Sequence, residues 1–168
     1  MILIGMGANL SSSEYGEPCA TLDAALEAIG AAGVQIRGVS KWYSTAPLPV
    51  SDQPRFVNIV ASVKTVMDAG ELLTILHSIE DVFGRTRGVR NAARVLDIDL
   101  LDYEGQISEN WPLLPHPRMS ARAFVLVPLR DIAPDWRHPL SGATVSELVA
   151  VATDLAGVRV LGEGPGLR

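Results

Sequence analysis

Between residues 56 and 64 the chain reads FVNIVASVK, and its side chains alternate. Val57, Ile59, Ala61 and Val63 fall on one side of an extended strand, while Phe56, Asn58, Val60, Ser62 and Lys64 fall on the other. RVLDIDLLDY (94–103) alternates too, with Leu96, Ile98 and Leu100 on one face and Asp97 and Asp99 on the other. Two helical patterns stand apart from these strands. CATLDAALEAIG (19–30) carries Leu22, Ala25, Leu26 and Ile29 at helical spacing and stops at Gly30. Asp68 and Glu71 make a capping box that opens a helix over 69–83, with Leu72, Leu73, Leu76, Ile79 and Phe83 as its apolar stripe and Gly84 as its stop.

The remaining segments complete the order. ILIGMG (2–7) predicts a buried strand interrupted by glycines, and VQIRGVSKWYS (34–44) a single strand. TAPLPVSDQPR (45–55), with three prolines, is a loop, and RTRGVRNAA (85–93) is an arginine-rich loop. WPLLPHPR (111–118) reads as extended, and FVLVPLRDIAP (124–134) as a short buried segment followed by a turn. Residues 145–155 predict a helix capped by Thr144 or Ser146, and VRVL (158–161) a last strand. The order β-α-β-β-α-β predicts an α+β, ferredoxin-like sandwich with C-terminal additions, spanning residues 1–168 as a single domain. Two helices cover one sheet face and leave the other for a site.

Composition narrows the classes. A chain of 168 residues that is 48% hydrophobic suits one compact domain. The net charge of −5 argues against a nucleic-acid binder. Cys19 is the only cysteine, so no internal disulfide forms, which fits a reducing compartment. MILIGMGANL is no signal peptide, and the longest apolar run, AFVLVPL (123–129), is too short to span a bilayer. A cytoplasmic protein without membrane association is expected.

The open face carries the candidate chemistry. Asp97 and Asp99 stand roughly 6.6 Å apart along the strand, and two carboxylates so close call for a cation between them. Mg²⁺ binds through one or two carboxylates together with substrate phosphates. Taken alone, however, a D-x-D pair reads more readily as a solvated outer face. Arg85, Arg87, Arg90 and Arg94 crowd one short stretch, and carboxylates beside guanidinium groups are the equipment of phosphoryl transfer. His116, between two prolines and near Arg118, reads equally as a phosphate contact or as a loop histidine. There is no P-loop motif, GMG (5–7) is too short for a dinucleotide fingerprint, and no two of His77, His116 and His138 have zinc-ligand spacing.

Taken together, GANL (7–10), YSTAPL (43–48), DQPRFVNIV (52–60), IEDVFGRTR (79–87), RVLDIDLL (94–101) and LPHPRMSARAFVLVPLRDIAPD (114–135) resemble the 6-hydroxymethyl-7,8-dihydropterin pyrophosphokinase family. The resemblance implies transfer of pyrophosphate from ATP to the pterin, with AMP leaving, in folate biosynthesis. It implies two Mg²⁺ ions on Asp97 and Asp99, with Arg85 and Arg94 beside them as catalytic arginines. It places ATP against His77, Glu80, Leu100, His116 and Arg122. The pterin is implied between Phe56 and Phe124, read by Asn58, Thr45 and the segment at Pro47 and Leu48. A monomer whose partners are these two substrates is expected. The chain departs from the family pattern at Asn91-Ala92-Ala93, where Trp-Gly-Pro is common, and at Pro117 and Trp111. A different D-x-D nucleotidyl transferase and a non-catalytic binding module are the rival readings.

Overall fold

The computed structural model describes residues 1–84 and 93–164. Its elements run β1 (Ile2–Ala8), α1 (Pro18–Ala31), β2 (Gln35–Val39), β3 (Trp42–Thr45), β4 (Phe56–Lys64), α2 (Ala69–Val82), β5 (Asp97–Tyr103), α3 (Ala123–Ile132), α4 (Val145–Val151) and β6 (Val158–Gly162). One antiparallel sheet links the strands in the order β5-β1-β4-β3-β6, and β2 also pairs with β4. The α+β arrangement is the predicted one. No described helix is long and apolar enough to cross a membrane.

The first sheet face is sealed as the alternation requires. Ile4, Met6, Ile59, Ala61, Leu96, Ile98 and Leu100 meet Leu22, Leu26 and Ile29 of α1 and Leu72, Leu76 and Ile79 of α2 in one buried cluster. Truncating a fully buried leucine such as Leu72 or Leu76 in a cluster like this costs about 2–5 kcal/mol. α2 begins on its capping box: Asp68 Oδ1 accepts from Glu71 N–H at 2.8 Å, and Glu71 Oε2 accepts from Asp68 N–H at 2.9 Å.

Three segments differ from the sequence-based expectation, each for a physical reason. The single strand expected over 34–44 is two strands, because Ser40 breaks the run. Its N–H bonds Val60 C=O at 2.9 Å, and its Oγ accepts from Val60 N–H at 3.1 Å, so a side chain takes over part of the ladder. The segment expected as a short buried stretch and turn over 124–134 is helix α3. Ala123, Val125, Leu126, Val127, Pro128 and Leu129 are all buried, and a run buried nearly all round shows no helical period. α3 packs on the second sheet face, with Leu3, Tyr43, Val60 and Leu101 beneath it, so that face is only half open. The helix expected over 145–155 ends at Val151; Thr144 is its cap, with Glu147 returning the bond.

β5 is an edge strand, and α2 covers part of its edge. Fully buried Glu80 accepts from Ile98 N–H through Oε1 at 2.6 Å. Replacing Glu80 with Ala is expected to lower stability by roughly 1–3 kcal/mol for the orphaned N–H, with a cavity term added. Glu80→Gln, which keeps an acceptor, should lose less. Chemical denaturation tests this, and an Ala variant as stable as wild type would contradict the tie.

Candidate active site

The open half of the second face is a trough, and its floor is built from missing side chains. In β1, Gly7 lies opposite Asp97 of β5 on one side and Asn58 of β4 on the other; Gly5 lies opposite Asp99 and Val60. A Cβ on Gly7 would sit 2.5 Å from Asn58 Oδ1, and one on Gly5 would sit 3.3 Å from Leu101. Glycine inside a strand marks such close approaches. The result is a cleft of about 190 Å³ with carboxylates on one bank and an aromatic and an amide on the other.

On the acidic bank, Arg94 Nη1 lies 2.6 Å from Asp97 Oδ2, both side chains partly buried. The backbone of Arg94 is held by Asn9: its N–H donates to Asn9 Oδ1 at 2.7 Å, and its C=O accepts from the N–H groups of Asn9 and Leu10 at 3.0 and 3.1 Å. Asn9 Nδ2 reaches across to Pro54 C=O at 3.1 Å. This buried asparagine therefore joins the end of β1 to both banks. His116 Nε2 stands 3.9 Å from Asp99 Oδ2. Its Nδ1 accepts from Arg118 N–H at 3.2 Å, which leaves the ring proton on Nε2, facing Asp99. Burial pushes the His116 pKa down, opposed in part by Asp99 and reinforced by Arg122 and Arg118, so the ring favours its neutral form.

On the other bank, Asn58 Nδ2 donates to Thr45 Oγ1 at 2.7 Å, which fixes the amide and turns its carbonyl oxygen toward Gly7. Phe56, at the start of β4, and Phe124, in the first turn of α3, both line the cleft, as do Pro47 and Leu48. The Arg122 guanidinium lies 5.3 Å from the centre of the Phe124 ring.

The structure thus gathers Thr45, Pro47, Leu48, Phe56, Asn58, Arg94, Asp97, Asp99, Arg122 and Phe124 around one cleft, with His116 at its acidic margin. Three residues expected at the nucleotide do not line this cleft. The Leu100 side chain lies in the core beneath α2, because alternation puts it with Ile98 rather than with the aspartates. Glu80 accepts from Ile98 N–H through Oε1, and His77 sits half-buried on α2, which packs on the far face. Arg85, Arg87 and Arg90 lie outside the described residues. Sequence reasoning missed the floor glycines, although period-two glycines in a strand signal one, and missed Asn9, whose burial no local pattern reveals. No three His, Cys, Asp or Glu side chains cluster as a metal cage among the described residues. Two half-open carboxylates suit a hard cation whose other ligands are water and phosphate.

A family model described as 7,8-dihydro-6-hydroxymethylpterin-pyrophosphokinase matches residues 3–134. Proteins named 2-amino-4-hydroxy-6-hydroxymethyldihydropteridine pyrophosphokinase are similar to the chain. The one from Methylorubrum extorquens is 40% identical over 149 residues, covering 88% of this chain and 90% of that protein. The one from Pseudomonas aeruginosa is 40% identical over 151 residues, covering 89% and 90%. Among solved structures, a Plasmodium falciparum HPPK-DHPS bound to pteroate superposes with a TM-score of 0.73 at 13% identity, over 95% of this chain and 46% of that one. An HPPK-DHPS in complex with substrates gives 0.68 at 15% identity, over 89% and 42%. The chain spans less than half the length of these two larger chains, and the likeness to them shows the fold alone.

The floor itself can be tested. Gly7→Ala is expected to displace the Asn58 amide and break its bond to Thr45, visible as a shift of the Asn58 side-chain NH₂ resonances and a lower melting temperature. Unchanged resonances would mean that the two banks are not in contact across Gly7.

Proposed function

The chain belongs to the 7,8-dihydro-6-hydroxymethylpterin-pyrophosphokinase family, and from that premise we infer that its cleft holds the pterin on the β4 bank and the ATP triphosphate on the β5 bank. The protein transfers pyrophosphate from ATP to 6-hydroxymethyl-7,8-dihydropterin and releases AMP, a step of folate biosynthesis. The observation that carries the assignment of banks is the row Asp97–Gly7–Asn58, which sets a carboxylate and a pinned amide on either side of a bare strand.

The division of labour follows from side-chain chemistry. Phe56 and Phe124 offer two flat apolar faces for a bicyclic ring, and stacking fixes its plane. Asn58, held by Thr45, reads the ring edge with its remaining hydrogen-bonding capacity, and Pro47 and Leu48 close the end. A ring held there directs its hydroxymethyl group along the trough toward the aspartates. Asp97 and Asp99 would hold Mg²⁺, two ions in our reading, and the bound metal neutralises charge on the triphosphate. Arg94, Arg122 and Arg85 supply guanidinium groups to the phosphates, and His116 offers its Nε2–H as a neutral donor beside Asp99. The hydroxymethyl oxygen forms its new bond to the β-phosphorus as the bond from that phosphorus to the α,β-bridging oxygen breaks. The bridging oxygen leaves with AMP, and the hydroxyl proton passes to solvent. The arginines need not move a proton; they stabilise charge that builds on the transferring group. We take a monomer as the working unit.

Asp97→Asn and Asp99→Asn are each expected to lower kcat at least about 10²–10³-fold, the scale on which a lost electrostatic contact slows an enzyme, while the pterin KM changes little. Steady-state assays with ATP, Mg²⁺ and 6-hydroxymethyl-7,8-dihydropterin check this, and full activity in both variants would refute the metal assignment. Excess EDTA should abolish turnover in the wild type, and added Mg²⁺ should restore it. Labelled ATP should yield AMP; release of inorganic pyrophosphate would instead indicate nucleotidyl transfer.

A further inference from the structure

The family match ends at residue 134, but the two aromatic walls are secured by residues beyond it. Asp154 lies just after α4. Its two carboxylate oxygens stand 2.9 and 3.1 Å from the backbone N–H of Ala123, the first residue of α3 and the neighbour of Phe124. A helix start needs acceptors for its N–H groups. Arg122, at the N-cap position, makes no side-chain cap bond, and its guanidinium leans over the Phe124 ring instead. The residue that would normally cap α3 faces the cleft, and the cap arrives from Asp154.

Three residues on, the same turn grips the other wall. Gly157 C=O accepts from Arg55 Nη2 at 2.6 Å and from Ala46 N–H at 3.2 Å. Arg55, which immediately precedes Phe56, also donates through Nε to Ser44 Oγ at 2.7 Å. A Cβ on Gly157 would lie 3.3 Å from the Ala46 Cβ, so the turn sits tight against the start of the 46–55 loop. One short segment therefore bonds to the residue before each aromatic wall.

We propose that the 154–157 turn is a spacer that sets the separation of Phe56 and Phe124, with Asp154 a positioning residue for capture of the pterin. This rests on the reading that those two rings hold the substrate. A turn that merely stabilised the fold would lower stability and leave both Michaelis constants alone; a spacer raises the pterin constant far more than the ATP constant, because Arg122 at the same turn is one of several groups on the triphosphate.

The test compares full-length wild type with Asp154→Ala, Asp154→Asn and Phe124→Ala, measuring KM for pterin and for ATP, kcat and melting temperature. Asp154→Ala is expected to raise the pterin KM about tenfold, the scale of one lost cap, with the ATP KM within about twofold of wild type. Asp154→Asn, which keeps an acceptor oxygen, should recover most of the loss. If Phe124→Ala raises the pterin KM but Asp154→Ala does not, the spacer idea alone falls. If Phe124→Ala leaves the pterin KM unchanged, the wall assignment is wrong and the spacer falls with it. Should Asp154→Ala fail to fold, Arg55→Gln removes the second tie and carries the same selective expectation; equal changes in both constants would overturn the proposal.

Discussion

A slip of β5 against β1 by one residue would carry Asp97 and Asp99 into the core beneath α1 and α2 and turn Ile98 and Leu100 outward. Burying two carboxylates without partners costs several kcal/mol each. The force that seals the core is thus the same force that aims the acidic pair at the cleft. Glu80 adds a second lock, since its bond to Ile98 N–H exists only in this register. From β5 the constraint passes through Gly7 of β1 to Asn58 of β4, so the spacing of the two banks is a property of the ladder rather than of the loops.

The second face has to be two things along its length. Near Leu3, Val60 and Leu101 it is apolar and covered by α3; toward Gly7, Asp97 and Asn58 it is polar and open. α3 serves both halves, because its buried side seals the apolar half while its first turn and N-cap bring Phe124 and Arg122 to the open one. The other end of α3 is moored as well. Tyr43 O–H donates to Asp131 Oδ2 at 2.7 Å, and burial together with that bond pushes the Tyr43 phenol well above its ordinary range. A helix moored at both ends can present an aromatic wall at a fixed height above the sheet.

Much of this was legible in the chain. Alternation in 56–64 and 94–103 separated the core face from the polar face, and Asp68 with Glu71 marked the start of α2. What escaped is instructive. The resemblance sets Glu80 and Leu100 at the nucleotide; the parity of Leu100 with Ile98 directs its side chain inward, and only tertiary packing shows the bond from Ile98 N–H to Glu80 Oε1. α3 is hidden because a segment buried nearly all round loses its helical period. Asn9 and the glycine floor act through neighbours distant in sequence, and no local pattern encodes a contact between Asn9 and Arg94 or between Gly7 and Asn58.

The ties from the 154–157 turn also bear on the order in which the molecule is completed. Arg55 and Gly157 are 102 positions apart, so their bond closes one of the longest loops in the chain. Closure entropy must be spent before such a contact returns anything, and contacts this remote form late. On the ribosome, β1, β4 and β5 emerge well before the turn does. A nascent chain can therefore assemble its acidic bank and its core while the aromatic walls are still unbraced. Competence to hold the substrate follows only when the 154–157 turn has emerged and docked.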